Sequence, residues 1–227
     1  MSNDMMPEEM GRALYDAAER GDVERLRLLF RKGGKKDIRD MFGNTLLHLA
    51  AVNGRREAGA FLISAGAEVD AENDYGNQPL HLAACSGCVG VVALLIAKGA
   101  LVDSPGENGE RALHVAAGKG DLKVVKHLIE KQGASVDARS DDGSRPLHHA
   151  IYRGRFPVVK YLVEKAEADA EVKDNGGVTP LGLSMQYPQI HEFLNMENAE
   201  KRRQAAMAVL RGRLRQLGSL RPRGPAL

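Results

Sequence analysis

The chain contains no tryptophan, its aromatic content is only 4%, and it holds just two cysteines in 227 residues. No apolar run approaches the roughly 18 residues that a bilayer-spanning helix needs. Each scarcity excludes something. A single thick core leans on large aromatic side chains, so this chain is expected to build a thin, elongated core from Ala, Leu and Val. Two cysteines cannot supply the several pairs of a disulfide scaffold, which points to a reducing compartment. Residues 1–10, MSNDMMPEEM, are acidic and lack the apolar stretch of a secretory leader. A cytoplasmic location is therefore expected, with the nucleus as the alternative. Nine prolines among 43% hydrophobic and 27% charged residues fit a globular chain, neither collagen-like nor disordered.

What the chain does have is 25 glycines, and many of them are periodic. Gly43-Asn44-Thr45-Leu46-Leu47-His48 aligns with Gly76-Asn77-Gln78-Pro79-Leu80-His81, and then with Gly109-Glu110-Arg111-Ala112-Leu113-His114. Gly143-Ser144-Arg145-Pro146-Leu147-His148 and Gly177-Val178-Thr179-Pro180-Leu181-Gly182 complete the series, the glycines stepping by 33, 33, 34 and 34 residues. An alanine pair and a glycine follow the first three histidines (Ala50-Ala51 and Gly54, Ala83-Ala84 and Gly87, Ala116-Ala117 and Gly120). A second apolar run comes next, as in Val91-Val92, Leu94-Leu95, or Val158-Val159, Leu162-Val163. The order reads as helix, tight turn, helix: small alanines let two helices approach, and the Val/Leu spacing puts an apolar stripe on the second. Gly66, Gly99 and Gly133 end that second helix, whereas Glu167 stands where the next such glycine is due.

Over about residues 10–196 this pattern resembles the ankyrin repeat, a unit with Thr-Pro-Leu-His followed by Ala-Ala and Gly. The resemblance implies an all-α repeat solenoid of stacked helix-turn-helix units with β-hairpin tips. Six units are counted; the first, from Leu14, and the last, where Gly182 replaces His and Tyr187-Pro188 occupy the turn, are degenerate. End units that must show a polar side to water are expected to depart in this way. The expected organisation is a disordered segment over 1–9, the repeats over 10–196, a basic amphipathic helix over 197–217 and a disordered tail over 218–227.

Four histidines in series suggest metal, but successive copies lie about one helix-packing distance, roughly 10 Å, apart, too far to share an ion held at about 2.0–2.1 Å. The resemblance implies a ring nitrogen bonded to backbone near each tip. Cys85-Ser86-Gly87-Cys88 has redox spacing, yet no second pair completes a zinc site, so ordinary packing is the expectation and a regulatory thiol its rival. No phosphate loop or nucleophile elbow is present, and a solenoid without insertions offers no convergent polar pocket, so no catalytic residue and no cofactor is expected.

In proteins with this resemblance, tips and first helices form a concave groove that selects a partner protein. By position the groove should carry Met41, Phe42 and Asn44, then Tyr75 and Asn77, Glu107 and Glu110, and Asp141 and Asp142, with Lys119 and Tyr152 near the inter-helix turns. Large apolar groups mark its N-terminal half and carboxylates its C-terminal half, which suits a ligand apolar at one end and basic along the other. An adaptor, scaffold or assembly subunit, monomeric on its own, is the expected role; a regulatory inhibitor of an enzyme would present the same surface.

The charge is unevenly spread. Residues 197–227 hold eight Lys/Arg and two Glu, net +6, leaving the rest with 24 basic and 28 acidic groups, net −4. Met207, Leu210, Leu214 and Leu217 are spaced 3, 4 and 3 apart, with Arg202, Arg203, Arg211, Arg213 and Arg215 around them. Four uses stay open for this segment: a cap on the last unit, a calmodulin-like partner, an acidic membrane or nucleic acid. The charge split also predicts that the tail lies against the acidic tips and blocks the groove.

Overall fold

A computed structural model describes residues 6–219, with side chains to residue 211. Among them, helices come in pairs. The first two are α1 (Pro7–Arg20) and α2 (Val23–Arg31), followed by α3 (Leu46–Val52) and α4 (Arg56–Ser64), then α5 (Pro79–Ser86) and α6 (Val89–Ala97). Next are α7 (Ala112–Lys119) and α8 (Leu122–Lys126), which continues through a π-helical turn over His127–Lys131, and α9 (Pro146–Tyr152) with α10 (Phe156–Glu164). A four-residue α11 (Pro180–Leu183) and a 32-residue α12 (Pro188–Ser219) close the stack. First helices stack on first helices and second on second, giving two layers.

The core between the layers is thin, as the composition predicts. Ala50, Ala51, Ala83, Ala84, Ala116 and Ala117 are fully buried, and their small side chains set the close approach of each pair. Leu62, Leu95, Leu128 and Leu162 repeat one buried position on the second helices. Truncating any of them to alanine would cost about 2–5 kcal/mol, because rigid neighbours cannot close the cavity.

Five loops project between the units, and each is closed by two backbone bonds: one of 2.8–3.0 Å from Asp40 to Asn44, Asn73 to Asn77, Gly106 to Glu110, Ser140 to Ser144 and Asp174 to Val178, the first residue donating, and one of 2.9–3.1 Å from Gly43, Gly76, Gly109, Gly143 and Gly177 back to the carbonyl of that first residue. No strand flanks these tips among the described residues, which hold a single isolated bridge, Arg39 with Thr45, so the expected β-hairpins are reduced to their turns. Side chains take the bonds a strand would have made. Asp40 Oδ1 accepts from the N–H groups of Phe42 and Asn44, and Asn73 Oδ1 from those of Tyr75 and Asn77, so the tips are side-chain-capped turns. Adjacent tips are joined, Asp74 N–H donating to the Phe42 carbonyl at 3.1 Å and Asp141 N–H to that of Asn108 at 2.9 Å. Gly43 permits this contact: its φ is +73°, and a Cβ there would stand 2.8 Å from the Asp74 backbone nitrogen.

Two boundaries differ from the sequence expectation. Helix α1 begins at Pro7, inside the segment expected to be disordered, because proline preset at N1 and Glu8 and Glu9 in the first turn favour a helix start. The last unit's second helix and the basic segment are one helix: α12 starts at Pro188, buries Ile190 and Leu194, sets Phe193 edge-on to Phe156 at 5.7 Å, and runs on without a break. At the missing glycine, Glu167 itself takes the left-handed conformation, φ +58°, that Gly133 adopts at +68°.

Candidate functional site

The repeated histidines are the supports of the tip-bearing face. His48 Nδ1 accepts the Thr45 N–H at the start of α3, while Nε2 stands 2.9 Å from the Asn77 carbonyl at the next tip. His81, His114 and His148 repeat the arrangement, with Nε2 at 3.1, 3.2 and 3.3 Å from the carbonyls of Ser104, Ser144 and Val178. An acceptor Nδ1 and a donor Nε2 define one neutral tautomer. Burial lowers the pKa of all four, to about 4 for His114, where neighbouring His149 adds to the effect. Each imidazole therefore ties the first turn of its own helix to the following unit and orients the tip above it.

On this frame Met41 is 85% exposed, and Phe42 and Tyr75, from successive tips, are exposed with ring centroids 6.4 Å apart. Asn44 and Asn77 are half-buried and already bonded. Asn44 Nδ2 donates to Asp40 and its Oδ1 accepts from Asn73, while Asn77 exchanges bonds with the Glu107 backbone and side chain. These two asparagines hold tips in register, so their polar groups face neighbours rather than an open surface.

Three depressions lie along the face made by the tips and first helices. One is lined by Asn77, Leu82, Cys85, Glu107 and Val115, the next by Glu110, His114, Lys119, His149 and Arg155. The third, about 380 Å³, is bounded by Glu110, Asp142, His149, Tyr152, Asp174 and Leu183. The structure thus brings Glu110, Asp142 and Tyr152 together, while Lys119 stands on the adjoining wall. Asp142 accepts from Ser140 Oγ and the Ser144 backbone, which holds its carboxyl below the usual range. Glu110 is pushed the other way, first by burial and then by the charges of Glu107 and Asp142. Asp141 is exposed on its tip, its backbone joined to Asn108.

His149 is the residue that the sequence reading passed over. Its Nδ1 stands 3.8 Å from Glu110 Oε1, its ring meets His114 edge-on at 5.1 Å, and burial lowers its pKa. A signal existed: the same position holds Leu49, Leu82, Val115 and Leu183 in other units, so a histidine there departs from an apolar pattern. Arg153, beside it, lies with its guanidinium 5.7 Å from the Tyr152 ring centroid.

The tail does not cross the tips within the described side chains. Arg202 pairs with Glu171 at 2.5 Å, Arg203 approaches Glu200 of its own helix, and Arg211 is exposed. Arg202 is held at the end of the stack and takes no part in the expected blockage of the groove; Arg213 and Arg215, which that expectation also uses, lie outside the side chains described. Cys85 and Cys88 are both free thiols, half-buried at the turn between α5 and α6. No described helix is long and apolar enough to cross a membrane.

Comparison with known proteins agrees with this architecture. No curated protein matches the chain significantly. A family model, Ankyrin repeats (3 copies), matches residues 14–106 and again residues 113–205, most of the chain, from within α1 to within α12. By its 33- and 34-residue period, its histidine-linked tips and this match, the chain belongs to the ankyrin-repeat family.

Proposed function

We propose that this chain is an adaptor or scaffold that holds a partner protein across the face formed by its tips and first helices, and that it performs no catalysis of its own. Ankyrin repeats are protein–protein interaction modules. The observation that carries the assignment of the face is the Phe42–Tyr75 pair, two exposed rings 6.4 Å apart on rigid, mutually bonded tips. Aromatic side chains fixed in place lose little freedom on binding and commonly carry a large share of an interface's energy. Beside them, Glu107, Glu110, Asp141 and Asp142 favour a ligand segment that turns from apolar to basic.

The test is affinity capture from cell extract with the intact chain and with Phe42→Ala/Tyr75→Ala, both verified as helical by circular dichroism. The proposal expects a protein retained by the first and lost by the second, which then binds the purified chain directly. Equal retention by both would remove this face from consideration.

A further inference from the structure

Helix α12 outruns the stack that it closes. The last side-chain bond from its described part to the repeats is Arg202 on Glu171, and Gln204, bonded to Glu200 of its own helix, borders the same depression as Glu167. From Ala205 to Arg211 every side chain is exposed, and Met207, Val209 and Leu210 stand 45, 58 and 50% accessible. The backbone continues as helix to Ser219, about 22 Å beyond Gln204 at 1.5 Å per residue. In sequence, Leu214 and Leu217 extend the apolar line, and Arg211, Arg213 and Arg215 flank it. A helix with one apolar line amid positive charge is a docking element rather than a stable solvent-exposed end.

The charge decides among occupants. Pairing this helix with its own kind would bring two arginine-rich faces together, whereas the tip-bearing face offers exposed rings at one end and carboxylates along the next units. Helices pack 8–10 Å apart, so the tips from Tyr75 to Asp141 cover about 20 Å, comparable with the projecting helix. Seating Met207 and Leu210 on the Phe42–Tyr75 pair carries Arg211 and the backbone beyond it over the next tip, where Glu107 and Glu110 stand. The helix cannot do this within its own chain: Arg202 anchors it at the fifth unit, and Phe42 lies in the second, roughly 30 Å away at the same spacing.

We propose that α12 of one copy docks in the groove of a second copy, a head-to-tail contact that uses two different surfaces of each chain. Such a contact leaves one helix and one groove unsatisfied in every open assembly, so copies add in a chain or close into a ring. Self-association then replaces the expected monomer and competes with any other protein for the groove. The proposal rests on the reading of that face as a binding surface, but its test reads mass rather than partner capture, so each can fail alone.

The experiment is light scattering on the full chain between about 1 and 200 μM, at low salt and at about 0.5 M salt, where screening is strong. Mass should rise with concentration from the 24.6 kDa of one chain to at least twice that, and fall back in high salt. A helix variant, Met207→Glu/Leu210→Glu, and a groove variant, Phe42→Ala/Tyr75→Ala, alter exposed residues; each should remain a monomer. Mixed in equal amounts they should form a complex of two chains and no larger, because only one intact helix and one intact groove are compatible. A wild-type chain of constant mass overturns the proposal, as does a mixture that stays monomeric. Self-association lost in the helix variant and kept in the groove variant overturns it in favour of helix–helix pairing. Binding to phosphatidylserine vesicles by a chain of constant mass overturns it in favour of a membrane.

Discussion

His48 Nε2 lies 2.9 Å from the carbonyl of Asn77, the residue that closes the next tip, while its Nδ1 accepts the Thr45 N–H. Protonating Nδ1 would set a ring N–H against a backbone N–H inside a buried site, and three more histidines share that geometry. Above pH 6.5 folded and unfolded imidazoles are both neutral, and the histidines add no pH dependence. As pH falls below 6.5 the unfolded chain takes up protons first, so stability declines until the folded histidines titrate, at about 4 for His114. That residue alone accounts for roughly 3 kcal/mol across the window. Urea unfolding at pH 7.0, 5.5 and 4.5 should show the decline, and His114→Gln should flatten it; a stability unchanged from pH 7 to 4.5 would contradict the neutral-histidine ladder.

Removing one of these rings altogether tests its structural weight. His48→Ala takes the acceptor from the Thr45 N–H and one of two donors from the Asn77 carbonyl, which keeps the Asn73 N–H, and it opens a buried void; it should cost about 2–4 kcal/mol in chemical denaturation. A loss below about 0.5 kcal/mol would mean that the link between units is dispensable.

Glu110 has the opposite linkage. Burial and the charges of Glu107 and Asp142 raise its pKa, so the folded state prefers the neutral acid. That preference is fully present below the ordinary carboxylate pKa of 4.5 and is lost as pH rises through the folded value. Glu110→Gln should therefore raise stability at pH 7 and leave it unchanged near pH 4, while weakening a basic ligand. A destabilised variant at pH 7 would show that the carboxylate is held by a favourable contact instead.

Glu167 occupies a left-handed conformation that glycine fills at Gly133. Glu167→Gly should gain about 0.5–1 kcal/mol, and Gly133→Ala, which has open space but the wrong backbone, should lose about 1 kcal/mol. Thermal melts of the pair suffice to check both signs.

These residues show how far the sequence can be read. The period is legible because Leu62, Leu95, Leu128 and Leu162 must each bury at the same point of a repeating core. Glu167 is visible as a departure, but whether the helix runs on or the chain turns under strain depends on the next unit's position. The tips look like hairpins because glycine and asparagine serve both kinds of turn; Asp40 and Asn73, accepting backbone N–H groups, decide for the turn. Nothing between Pro188 and Gly212 breaks a helix, so no physical boundary stands at residue 197. In the groove, the exposed pair was readable from tip position alone, whereas His149 could be found only by comparing units and asking which apolar position had turned polar.

The most direct test of the groove is affinity measured on both sides of the stack. With a purified protein captured by the intact chain, calorimetry would compare the wild type with Phe42→Ala/Tyr75→Ala on the tips and with Leu28→Ala, exposed on the second-helix layer. The account predicts a loss of at least about tenfold for the tip variant, or 1.4 kcal/mol, and a change within about twofold for Leu28→Ala. A tip variant that binds like the wild type while Leu28→Ala loses affinity would place the interface on the opposite layer and contradict it.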